Sequence, residues 1–252
     1  MQPGCSTPKN SVDWEKVLTS EEWDVYRRVI CETRARGIQF ALGGAFALAT
    51  YTGDLRKTKD LDIYVLPQDR EAMVGVTAEC GLEDYYDKLP YDRGWIYRSY
   101  TADVIVDVIW GMANRRAEVD CRWLSGGPDV EIRGERLKIV PPEELIWGKL
   151  YVMQRERCDW PDILNVLYEV GPSLDWAHLL GRLRDDAPLL GSVLSLFAWL
   201  CPARMRSFPD WLPRDERICF PRIDAPGAIH DRRVKLLDSR PWFKHSEKEL
   251  CC

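Results

Sequence analysis

The run Arg56-Lys57-Thr58-Lys59-Asp60-Leu61-Asp62-Ile63-Tyr64-Val65-Leu66 decides how this chain is read. Leu61 to Leu66 reads as a strand, with Asp60 and Asp62 two residues apart at its start. Successive side chains on a strand point to opposite faces, so the two acids leave the same face about 6–7 Å apart. Two oxygen donors aimed one way suit Mg2+, a hard cation held by one or two carboxylates together with substrate phosphates. The basic residues Arg56, Lys57 and Lys59 stand just ahead of the acids, and such a cluster can hold a triphosphate that metals bridge. On spacing alone the same run also reads as a solvated basic loop leading into a solvated strand end.

Working outward, Ile38 to Leu42 is a short buried-strand candidate ended by Gly43-Gly44, and Ala45 to Tyr51 is a helical run closed by Gly53. Glycines between strand and helix let backbone approach a phosphate at the helix N-terminus, although alone they also describe a tight turn. Upstream, Thr19 with Glu22 forms a capping-box pattern that predicts a helix from about Ser20 to Arg36. Downstream, Pro67 opens a helix through Glu79, with Gly81 beyond its end. Trp95 to Tyr100 and Ala102 to Trp110 are strand candidates, and the second holds Asp107 inside Val104-Ile105-Val106-Asp107-Val108-Ile109. An acid in such a run is costly unless function or a partner offsets its burial. Asp107 is therefore the candidate third carboxylate of a two-metal site with Asp60 and Asp62.

Residues 130–140 predict a hairpin turning at Arg133-Gly134-Glu135-Arg136. From Pro142 the signals are helical, with helices around Leu145 to Met153, Pro161 to Val170, Trp176 to Arg184 and Leu189 to Leu200. The expected fold is α+β, a small mixed sheet flanked by helices and followed by a C-terminal helical region. The expected division is a core over 1–140, a helical domain over 141–213, and an irregular charged tail over 214–252.

The 252 residues carry 35 Lys+Arg and 40 Asp+Glu, a formal charge of -5, and 46% are hydrophobic. That hydrophobic fraction excludes a disordered, charge-dominated chain, and the mild acidity argues against a broad nonspecific nucleic-acid surface. Ala187 to Cys201, the longest apolar stretch, falls short of the roughly 20 residues that span a bilayer, so no membrane partner is expected. The first ten residues lack a basic segment followed by an apolar core, which makes cytoplasmic residence the expectation. Nine scattered cysteines without repeated zinc spacing read as reduced thiols. His178, His230 and His245 have no nucleophile at a motif spacing, and Trp95, Trp110, Trp123, Trp147 and Trp160 read as core.

In order and context, Gly43-Gly44, then Arg56-Lys57-Thr58-Lys59-Asp60-Leu61-Asp62, then Val106-Asp107-Val108 resembles the nucleotidyltransferases of the DNA polymerase beta superfamily. The resemblance covers about residues 20–155. Pro142-Glu143-Glu144-Leu145 through Lys149 to Arg155, Arg157, Asp159 and Asp162 resembles, more loosely, the helical part of small antibiotic-modifying and toxin-type members. The resemblance implies that Asp60, Asp62 and Asp107 are the catalytic, Mg2+-binding carboxylates, with Asp107 receiving the proton of the attacking hydroxyl. It also implies a nucleotide-binding set of Gly43, Gly44, Arg56, Thr58 and Lys149. The family pair is commonly Gly-Ser, and here Gly44 stands at the second position.

The implied activity moves a nucleoside monophosphate from a nucleoside triphosphate such as ATP to an acceptor hydroxyl, releasing pyrophosphate. A small-molecule acceptor fits the acidic charge better than tRNA, which would require a basic track, and a protein acceptor is a third option. The rival reading is a noncatalytic nucleotide-binding or partner-binding protein on the same fold. Presence of all three acids speaks for catalysis.

Overall fold

The computed structural model describes residues 12–54, 58, 60–154, 157–219, 233, 236 and 237. The chain divides into two compact units, residues 1–145 and 146–252.

The first unit opens on α1 (Ser20–Ala35). Its start is fixed as the sequence predicts: the Thr19 hydroxyl accepts from the Glu22 N–H, and the Glu22 carboxylate accepts from the Thr19 N–H. Trp23, Tyr26, Val29, Ile30 and Thr33 recur at helical spacing and are buried. There follow β1 (Phe40–Leu42), α2 (Gly44–Thr52), β2 (Asp60–Val65), a 3-10 turn at Pro67–Asp69, α3 (Arg70–Glu79) and β3 (Glu83–Asp84). Next come β4 (Ile96–Thr101), β5 (Val104–Ile109), α4 (Cys121–Ser125), a hairpin of β6 (Asp129–Ile132) and β7 (Glu135–Lys138), and α5 (Pro142–Leu150).

The main sheet runs β1-β2-β5-β4-β3. β2 and β5 are parallel and the other neighbours antiparallel, so the sheet is mixed, as expected. Leu61, Ile63, Val65, Val106 and Val108 on one face are fully buried, and α3 lies against β5. The alternation that buries them turns Asp60, Asp62 and Asp107 to the opposite face.

Several details differ from the sequence expectation. Pro67 opens a 3-10 turn before α3 rather than α3 itself. β5 starts at Val104, because Ala102 takes a left-handed φ of 49° in the tight connection from β4. β3 carries only Glu83 and Asp84, and no periodicity marks it; it exists through pairing with Tyr100 and Ser99. α4 is too short for periodicity to reveal, though Asp120 caps it by accepting from the Arg122 N–H.

The second unit holds α6 (Trp160–Val170), α7 (Trp176–Leu183), α8 (Ala187–Leu200) and α9 (Pro202–Met205), with α5 running into it from the first unit. Its core joins Trp176, Leu179, Leu180, Leu183, Leu190 and Phe197, and Phe208 stacks on Phe197 at 5.3 Å. Within the stretch expected to be irregular, Glu216–Ile218 forms a 3-10 turn, and Arg233, Leu236 and Leu237 are helical. Most of that stretch, His230 and His245 included, lies outside the described residues. Trp110, Trp123 and Trp147 are buried as expected, while Trp95 and Trp160 are half-buried. The described cysteines are all free, and no helix among the described residues is long and apolar enough to cross a membrane.

Candidate functional site

Parallel pairing of β2 with β5 sets Asp62 directly opposite Asp107, and Asp60 opposite Ile105. One register row of the sheet thus carries two of the acids, and the third stands one pleat away on the same face. Each of the three offers a carboxylate oxygen, and these oxygens all lie within 4.8 Å of one another. Asp107 is 1% exposed, whereas Asp60 and Asp62 are half-buried. Three convergent carboxylates, one buried and two half-buried, are a donor set for a hard divalent cation. Like charges at this spacing repel, so the cluster needs positive charge nearby.

That charge is supplied by Arg98, which the sequence reading did not single out. It lies on β4, paired with Asp107 on β5, and so extends the same row: Asp62, Asp107, Arg98. Its Nε donates to Asp107 Oδ1 at 2.8 Å and its Nη2 to Asp107 Oδ2, forming a two-pronged pair. Nη2 also stands 3.9 Å from Asp60 Oδ2. Burial pushes the Asp107 carboxyl above its ordinary range, against the opposing pull of Arg98. The hydrogen bonds that Arg98 donates to Asp107 in turn hold the guanidinium in its charged form more firmly than usual. A signal for Arg98 existed in the sequence. With a two-residue turn at Ala102-Asp103, counting outward from Thr101 and Val104 brings Arg98 to Asp107.

Asp60 has its own support, because the Thr58 hydroxyl donates to its Oδ1 at 2.8 Å. The resemblance implies a nucleotide contact for Thr58, and the structure places its hydroxyl on the Asp60 carboxylate. Tyr26 on α1 is another residue that periodicity marks only as core. Burial raises its hydroxyl pKa, and the charges of Glu22, Asp60, Asp62 and Asp107 raise it further.

The glycine pair is bound to β2 directly. Gly43 donates its N–H to the Asp62 carbonyl at 3.0 Å, and its own carbonyl accepts from Ala47 in the first turn of α2. A Cβ on Gly43 would lie 2.2 Å from the Tyr64 ring, which stacks on Trp123 at 5.3 Å. Gly44 takes a left-handed φ of 50°, and a Cβ there would lie 1.6 Å from Asp62 Oδ2. The Asp62 carboxylate thus fills the space a side chain at position 44 would use. The N-terminus of α2 and the acid cluster are therefore packed directly against each other.

Arg56, Lys57 and Lys59 lie outside the described residues. Lys149 belongs to the second unit, where its ammonium is 2.8 Å from both Asp159 Oδ2 and Asp162 Oδ2 and is mostly buried. Arg157 also donates to both oxygens of Asp159. Burial pushes the Asp159 carboxyl up, but Arg157 and Lys149 outweigh it and hold it below its ordinary value.

No family model matches the sequence, and no curated protein matches it. Among solved structures, the chain is similar to the antibiotic-resistance factor ANT(2'')-Ia, at 14% identity over 75% of this chain and 100% of that one, with a TM-score of 0.47. It is similar to the lincosamide antibiotic adenylyltransferase LnuA in its lincomycin-bound form, at 15% identity over 59% of this chain and 96% of that one, with a TM-score of 0.41. It is also similar to JHP933 from Helicobacter pylori, at 13% identity over 87% and 90% of the two chains, with a TM-score of 0.39.

Proposed function

We propose that this protein is a Mg2+-dependent nucleotidyltransferase that moves a nucleoside monophosphate from a nucleoside triphosphate to an acceptor hydroxyl. The observation that supports it is the convergence of Asp60, Asp62 and Asp107 within 4.8 Å, with the Asp62 carboxylate packed against Gly44 at the N-terminus of α2. In the proposed reaction the acceptor oxygen forms a bond to the α-phosphorus. The bond from that phosphorus to the bridging oxygen breaks, and pyrophosphate leaves with its electron pair. Asp107 accepts the acceptor's proton. Asp60 and Asp62 would hold the metal ion with Asp107, and the ion would supply positive charge for the entering and leaving oxygens. The amides at the N-terminus of α2, beside Gly43 and Gly44, would meet the triphosphate, since the helix dipole there favours an anion. The acidic chain supports a small hydroxylated acceptor, since an RNA would require a basic track.

Thermal unfolding of the full chain with each of the four ribonucleoside triphosphates, with and without Mg2+, tests this reading. Ligand at about 100 times its dissociation constant stabilises the folded state by roughly 2.7 kcal/mol, a rise of several degrees. A Mg2+-dependent rise that disappears in Asp60→Asn/Asp62→Asn supports the site and identifies the donor. No rise with any nucleotide overturns it.

A further inference from the structure

We infer that Arg98 is the resident counter-cation of the acid cluster, and that a divalent ion reaches Asp107 only as the Arg98 guanidinium withdraws from it. This rests on the proposed metal site and adds a device that gates its loading. Both oxygens of Asp107 are engaged by the guanidinium fork. The Asp107 side chain is only 2% exposed, so it cannot turn outward to meet an ion elsewhere. An ion that binds those oxygens must lie within a few ångströms of the fork, and two cations so close beside a buried carboxylate repel strongly.

Arg98 itself is able to move. Its side chain is 34% exposed, and the Tyr85 ring stands 5.8 Å from the guanidinium, offering an aromatic face near its present position. Asp60 lies 3.9 Å from the same nitrogen, so withdrawal exposes two carboxylates to the ion together. The resting protein therefore holds Asp107 matched by one positive charge while the cluster keeps an excess of negative charge, and metal affinity measured on it includes the cost of displacing the guanidinium from Asp107.

The test is Mn2+ binding to the nucleotide-free full chain by titration calorimetry, in wild type, Arg98→Gln and Arg98→Lys. Competition predicts that Arg98→Gln binds Mn2+ more tightly than wild type by about tenfold or more, with Arg98→Lys between them. It also predicts that Arg98→Gln melts lower than wild type without metal, and that saturating Mn2+ raises its melting temperature by more than it raises that of wild type. A merely structural Arg98 would lower melting without tightening Mn2+ binding, and equal or weaker affinity in a folded variant overturns the proposal. Should Arg98→Gln fail to fold without metal, its recovery on refolding with Mn2+ supports the proposal; without such recovery, Arg98→Lys decides by whether its affinity exceeds that of wild type. Absence of Mn2+ binding in all three proteins at millimolar ion overturns the metal reading, and this one with it, whereas equal binding in all three overturns this one alone.

Discussion

The Asp62 carboxylate stands where Gly44 would carry a Cβ, with Oδ2 1.6 Å from that point. A helix terminus and a candidate metal ligand thereby exclude any side chain between them. Serine at 44 must displace the acid and adopt a left-handed backbone that costs about 1–2 kcal/mol for a non-glycine residue. Gly44→Ser is expected to lower the melting temperature by several degrees and to abolish Mg2+-dependent nucleotide stabilisation, both read in one thermal-unfolding series. Unchanged melting and unchanged nucleotide response would contradict the close approach.

Replacing Asp62 or Asp107 by asparagine keeps shape and removes charge. Each variant is expected to lose transfer activity by at least about 100-fold, because the metal's contribution to charge stabilisation amounts to several kcal/mol. The check is pyrophosphate release with the nucleotide and acceptor found by screening, alongside circular dichroism to establish that the fold remains. Normal turnover by either variant would show that the acids serve another purpose.

Thr58 offers a milder perturbation, since its hydroxyl donates to Asp60 at 2.8 Å without meeting the other acids. Loss of a group that orients a metal ligand typically weakens metal binding by about 10–100-fold. Thr58→Val is expected to fall in that range by calorimetry with Mn2+. An affinity equal to wild type would show that Asp60 is held adequately by its strand.

In the second unit, the Lys149 ammonium sits between Asp159 and Asp162. Breaking a buried pair by removing one partner costs about 3–5 kcal/mol, so Lys149→Met should be markedly less stable near neutral pH. The sign of the pH dependence follows from Asp159, whose carboxyl is held below its ordinary 3.8. The stability it contributes is fully present above the unfolded value and is lost as pH falls through the lower folded value. Denaturant unfolding from pH 7 down to acid should therefore show the difference between wild type and variant narrowing below about the unfolded carboxylate pKa. A constant difference across that range would assign the loss to packing of the lysine stem.

Much of this was legible in the sequence, and for physical reasons. Asp60 and Asp62 are local to one strand, where the two-residue repeat alone fixes a common face. Asp107 announced itself because an acid among Val104, Ile105, Val106, Val108 and Ile109 is costly without a purpose. The row joining Asp62 to Asp107 was not legible, since parallel pairing of β2 with β5 is a nonlocal choice that spacing does not encode. Arg98 was missed for a different reason. Its meeting with Asp107 depends on the register of the β4 and β5 hairpin, not on any pattern within its own strand. The hydrogen bond from Thr58 to the acid two residues on depends on local side-chain orientation, which the sequence pattern does not encode.

The hairpin has a consequence for the order in which the sheet assembles. β4 and β5 are joined by a two-residue turn, whereas β2 reaches β5 only after α3, β3 and β4 have intervened. Closing a short loop costs less chain entropy than closing a long one, so the hairpin's contacts are expected to form ahead of the parallel pair. Asp107 is then already matched with Arg98 when β2 docks, and Asp60 and Asp62 meet an ion pair rather than a bare carboxylate. The same guanidinium thus removes an electrostatic barrier to adding the second aspartate-bearing strand, before any ligand is present.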